Sequence, residues 1–164
     1  MDLQQELTLA KEWLNRRSPE EIRENREYFD AFLFLRQAHF GGTLPADVPK
    51  KVTEALDEPI PHLLSRLTED RNMNGQTLCL RSGLLQARIN ALLDDAQPTK
   101  EEARVLGLAL SLDLRGLRKL LGLCGHRLEE TTADLLAEYC VRQGKWDTGL
   151  YRSLLEMLAS EVQP

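Results

Sequence analysis

Leucine dominates the apolar residues of this chain: 33 Leu stand against 3 Ile and 5 Val. Leucine is unbranched at Cβ and keeps most of its rotamer freedom in a helix, whereas β-branched side chains stiffen there and favour strands. A core drawn from these residues is expected to be all-α. At 164 residues one domain-sized core is the default. Such a chain buries roughly 70% of its unfolded surface and needs neither disulfides nor a metal to fold.

The same residues exclude several classes. The longest strictly apolar run is Ala31 to Leu35, far too short for a membrane span. The net charge of −5 opposes generic nucleic-acid binding, which depends on cations. Cys79, Cys124 and Cys140 are odd in number and form no Cys-x-x-Cys, so a reducing, cytoplasmic setting is expected. The opening MDLQQELTLAKEW carries acids and Gln where a secretory leader has a basic and then an apolar stretch.

Leu3, Leu7, Ala10 and Leu14 recur at helical spacing and predict a first helix to about Arg17. Ser18-Pro19-Glu20-Glu21 restarts the chain: Ser at the cap, Pro at the first helical position, and Glu three residues on as a capping box. The second helix contains YFDAFLFL, which is apolar nearly all round. That pattern fits either a buried core helix or a surface covered by a partner. Phe29, Phe32 and Phe34 are the candidates for an oligomer surface. GGTLPADVP over 41–49 is a turn-rich break, followed by a short mixed segment ending at Pro59 and Pro61. Short helices are then predicted around Leu63 to Leu67 and over 73–83, 84–95, 99–113, 114–125 and 129–144. Thr99 and Glu102 form a second capping box, Gly83, Gly125 and Gly144 end three of the helices, and Asp147 caps a last one.

The run from Met73 to Leu112 resembles the lambda-repressor-like (XRE-type) helix-turn-helix family. Leu78 and Cys79 match its apolar-then-small pair, and Arg81-Ser82-Gly83-Leu84 its turn. Ile89 and Leu92 match the core positions of its recognition helix, and VLGLALSLDL its buried following helix. The segments after Leu112 look like the helical tail of some bacterial members. The resemblance implies a helix-turn-helix bundle over 60–125 and a helical extension over 126–164; residues 1–59 lie outside it, and their own pattern predicts an N-terminal helical hairpin over 1–45 and a linker over 46–59, all-α throughout.

Carried over position by position, the resemblance places Gln86, Ala87, Arg88 and Asn90 toward DNA bases, and Asn74 and Gln76 toward phosphates. Amides such as Gln86 and Asn90 can pair bidentately with adenine. The chain also departs from the pattern. Gly75 replaces a frequent Gln, Leu85 and Leu93 stand where relatives are often polar, and Arg88 is the sole cation between 83 and 95, a stretch of net charge −1. The sole basic cluster lies one helix further on, where Arg115, Arg118, Lys119 and Arg127 give residues 113–128 a net +3 beside an acidic C-terminal stretch. Arg115, Arg118 and Lys119 share one helix face. This face reads as a solvated surface, or as a docking face for an acidic partner or a second copy.

Cys124-Gly125-His126 offers two ligands where a zinc site needs four, and no phosphate loop or nucleophile motif is present. Neither a metal, nor a cofactor, nor catalysis is therefore expected. The expected function is a non-catalytic regulatory or adaptor protein that uses the helix-turn-helix scaffold for protein contact or self-association. The alternative is a dimeric, sequence-specific DNA-binding regulator, and an enzyme of unknown chemistry comes last.

Overall fold

The structure, a computed structural model, describes residues 2–43, 47, 56 and 58–162. Among them it is all-α, with nine helices and no strand. The helices are α1 (Leu3–Asn15), α2 (Pro19–Phe40), α3 (Ile60–Asp70), α4 (Gly75–Ser82), α5 (Gln86–Asp94), α6 (Lys100–Ala109), α7 (Leu114–Leu123), α8 (Thr132–Arg142) and α9 (Thr148–Val162). None is long and apolar enough to cross a membrane.

Local chemistry accounts for most helix ends. Thr99 and Glu102 close a reciprocal capping box on α6, and Asp2 and Gln5 do the same on α1. Ser18 accepts the Glu21 N–H, as its sequence position implies. The box there is only half formed, because the Glu21 carboxylate turns to Arg17 at 3.1 Å instead.

The helix α6 is the centre of the bundle. Ala103, Val105, Leu106, Leu108 and Ala109 are all buried, and α4, α7, α8 and α9 pack around them. Each fully buried Leu contributes about 1.5–3 kcal/mol of transfer free energy. Ile89 and Leu92 dock α5 on this core, and Leu78 docks α4.

The N-terminal helices depart from expectation. They do not form a hairpin of their own: α1 packs on α8 and α9, and α2 packs on α7. One contiguous core runs from Leu7 on α1 to Leu158 on α9. Nor is α2 buried on all sides, because it lies at the edge of the bundle and packs mainly on α7. Asn25 and Phe32 are its only fully buried residues, while Phe34 is 71% and Phe40 61% exposed. Phe32 is thus a core residue and not an oligomer surface. Its ring lies over Gly122 of α7, where a Cβ would stand 3.1 Å from a ring carbon. Phe29 is half-buried under the Arg127 guanidinium at 5.9 Å, which leaves Phe34 as the freely exposed member of the three. Most of the predicted 46–59 linker lies outside the described residues. Its Leu56 is buried in the core and its Glu58 is ion-paired.

Candidate functional site

The segment from Asn74 to Asp94 was singled out by its sequence, and its geometry is set by its two ends. Asn74 caps α4 by accepting the Thr77 N–H at 2.8 Å, so this amide has a structural task. Gln76 is exposed. At the far end Gly83 adopts φ 74°, a left-handed conformation that glycine enters without a Cβ clash. The Ser82 hydroxyl accepts the Leu84 N–H at 3.2 Å, and the Cys79 thiol donates to the Leu84 carbonyl at 3.0 Å. The turn is thereby bonded on both flanks before α5 begins.

On α5 the four expected base-facing residues behave differently. Ala87 is exposed. Gln86 and Asn90 are exposed as well, and the Gln86 amide nitrogen donates to the Asn90 amide oxygen at 3.0 Å. Arg88 points back into its own chain. It donates twice to the Glu102 carboxylate, at 2.6 and 2.8 Å, and once to the Gln97 carbonyl at 2.9 Å. The Arg88 hydrogen bonds hold the Glu102 carboxyl below the usual carboxylate range, despite partial burial. Arg88 is a clasp between α5 and the cap of α6. Leu80 and Leu85 flank the turn and are 77% and 78% exposed.

A clamp from the C-terminal helix was not visible in the sequence pattern. Arg152 of α9 donates to the Ser82 carbonyl at 2.7 Å, and the Thr148 hydroxyl donates to the Arg81 carbonyl at 2.5 Å. Both satisfy carbonyls that the end of α4 leaves without helical partners. The turn is therefore held rigidly from behind.

The basic face of α7 is largely occupied from within. Arg118 donates to the Asn25 amide oxygen at 2.9 Å and lies 3.8 Å from Glu24. Lys119 donates to Glu58 at 3.0 Å, and Arg127 is 3.8 Å from Glu129. Arg118 and Lys119 are thus not a solvated or docking face. The complementary groups on α2 and before α3 already cover them. Arg115 alone is exposed and makes no ion pair among the described residues.

Two buried carboxylates hold the helices together. Glu138 of α8 has 1% of its side chain exposed and is gripped by Arg17; it accepts the Asn25 amide at 2.7 Å, and Arg142 lies 3.5 Å away. Asp134, also on α8, receives Lys100 at 2.6 Å, Arg104 at 2.5 Å and the Glu129 N–H at 2.9 Å. Burial pushes the Asp134 carboxyl up, but these donors outweigh it and hold the group below its ordinary value. The sequence signal for Glu138 is a charge inside the apolar run LLAEYCV. Such a charge cannot be solvated when its neighbours are buried and must find a partner in the fold.

Burial pushes the Cys124 and Cys140 thiols up to about 12, so neither is a ready thiolate. Among the described residues no three His, Cys, Asp or Glu side chains converge on a common point as metal ligands. No family model, no curated protein and no solved structure matches the chain.

Proposed function

We propose that the protein is a non-catalytic adaptor or regulator that contacts a protein partner through the turn between α4 and α5, on a scaffold resembling a helix-turn-helix. One observation carries this reading. Arg88, the sole cation of α5, is engaged by Glu102 and Gln97, while Leu80 and Leu85 beside the turn stand 77% and 78% exposed. A groove-binding surface needs free cations toward phosphate, because counterion release supplies most of its affinity. A protein-docking surface needs apolar anchors that lose water on contact. The rigid clamp of Arg152 and Thr148 behind the turn supports this, since a pre-organised surface loses less entropy on binding. The second reading, a DNA-binding regulator, draws on the exposure of Gln86, Ala87 and Asn90.

One comparison separates them. Anisotropy of labelled random and upstream-region duplexes should show no salt-steep complex. Affinity capture run in parallel should retain a defined protein with the wild type and lose it with the double variant Leu80→Ser, Leu85→Ser. A DNA complex with a steep salt dependence that is abolished by Asn90→Ala overturns the adaptor reading.

A further inference from the structure

We propose that the cavity between α2, α3 and the start of α7 binds a small amphipathic anion, a linear carboxylate with an apolar tail. This goes beyond the adaptor reading, and none of the residues lining the cavity belongs to α4 or α5. The cavity measures about 870 Å³. Small-molecule sites occupy about 300–1,000 Å³ and are mostly apolar with a few polar groups that orient the ligand.

Its walls divide in the same way. Phe32, Leu35, Leu63, Leu67 and Leu112 supply apolar surface. Arg66, Arg71, Arg115 and Lys119 also line it, against one lining carboxylate among the described residues, Asp113. The partners of these groups decide what charge is left. Arg66 and Lys119 share Glu58, at 2.9 and 3.0 Å. Asp113 accepts the Gly116 N–H at 2.7 Å and so caps α7. Among the described residues Arg71 donates only to backbone, to the Leu110 carbonyl at 2.5 Å and the Leu67 carbonyl at 3.2 Å. Arg115 makes no ion pair among the described residues. Among the described residues, two guanidiniums without a carboxylate thus stand at the edge of an apolar chamber.

That pairing matches the two halves of an amphipathic carboxylate. The tail removes apolar wall from water, and the head accepts charge-assisted hydrogen bonds from a guanidinium, the donor whose fork suits a carboxylate. A cationic amphiphile of the same length meets repulsion at the rim, and a neutral one forgoes the charged contact.

The test is a titration of the full chain with cis-parinarate, read by its own fluorescence. Competition by dodecanoate, dodecanol and dodecylamine follows. Saturable binding is expected, displaced by dodecanoate well before dodecylamine. Arg115→Gln should weaken it by about tenfold or more, the loss of one charge-assisted hydrogen bond. Ala31→Trp adds bulk at an exposed position on the cavity wall and should abolish binding with an unchanged thermal melt. The proposal is overturned by the absence of saturable binding, by equal displacement with dodecylamine, or by wild-type affinity in both variants.

Discussion

Replacing Glu138 by Gln tests whether a buried charge cluster fastens the N-terminal helices to the bundle. Glu138 is 1% exposed and Arg17 is 4% exposed, so neither charge is solvated when the other is removed. In Glu138→Gln one oxygen still accepts the Asn25 amide, which now lies at 2.7 Å. The other atom becomes an NH2 aimed at the Arg17 guanidinium, so donor meets donor. Two charges ~4 Å apart interact by about 4 kcal/mol at an effective dielectric constant near 20. Breaking one side of a buried pair costs about 3–5 kcal/mol. Against a total stability of about 5–15 kcal/mol this is a severe loss. Urea unfolding followed by circular dichroism should show the midpoint fall by about 1.5–2.5 M for an m-value near 2 kcal/mol/M. The pair Arg17→Met, Glu138→Leu removes both charges and should lose less than the sum of the single changes, with a coupling of about 2–3 kcal/mol. A Glu138→Gln cost under about 1 kcal/mol, or strict additivity in the cycle, would refute the cluster as a fastener.

Two further outcomes are expected. Gly83→Ala places a Cβ at φ 74° against the Arg152 guanidinium, so the backbone is strained and the clamp on Ser82 must shift. A loss of about 1–3 kcal/mol should appear in thermal melts, and an unchanged melting temperature would show that the turn is not conformationally demanding. For Glu58, burial pushes the carboxyl up, but hydrogen bonds from Arg66, Lys119 and His62 outweigh it and bring the group from 4.5 to about 2. A carboxylate depressed in the folded state stabilises above its unfolded value, and that contribution fades as pH falls through the folded one. Stability should therefore decline between about pH 5 and pH 2. Glu58→Gln should flatten that limb of the urea midpoint against pH, and an identical limb in the variant would remove Glu58 as its source.

Much of the helical layout was legible in the chain because its causes are local. Ser18 and Thr99 satisfy N–H groups three residues on, and Gly83 accepts the left-handed turn that other residues resist. Ile89 and Leu92 were readable as docking positions because helical periodicity places them on one stripe. The phenylalanines of α2 mark the limit. Phe32 and Phe34 are the same residue type two positions apart, yet one is 7% and the other 71% exposed. Only the rotation of α2 against Gly122 of α7 separates them.

Charge shows the same division more sharply. The net −5, the lone cation of α5 and the basic stretch over 113–128 are properties of the sequence itself. Where those charges point is not. Arg118 finds Asn25 across 93 residues, Asn25 finds Glu138 across 113, and Arg88 finds Glu102 across 14. A charge count records sign, whereas a salt bridge or a free docking cation depends on which side chains the fold brings within about 3 Å. The leucine-rich composition determined by itself that the chain would be helical, because rotamer entropy acts residue by residue. The assignment of Arg88 and Arg118 to structural contacts, and the exposure of Leu80, Leu85 and Arg115, came only with the packing of one helix on another.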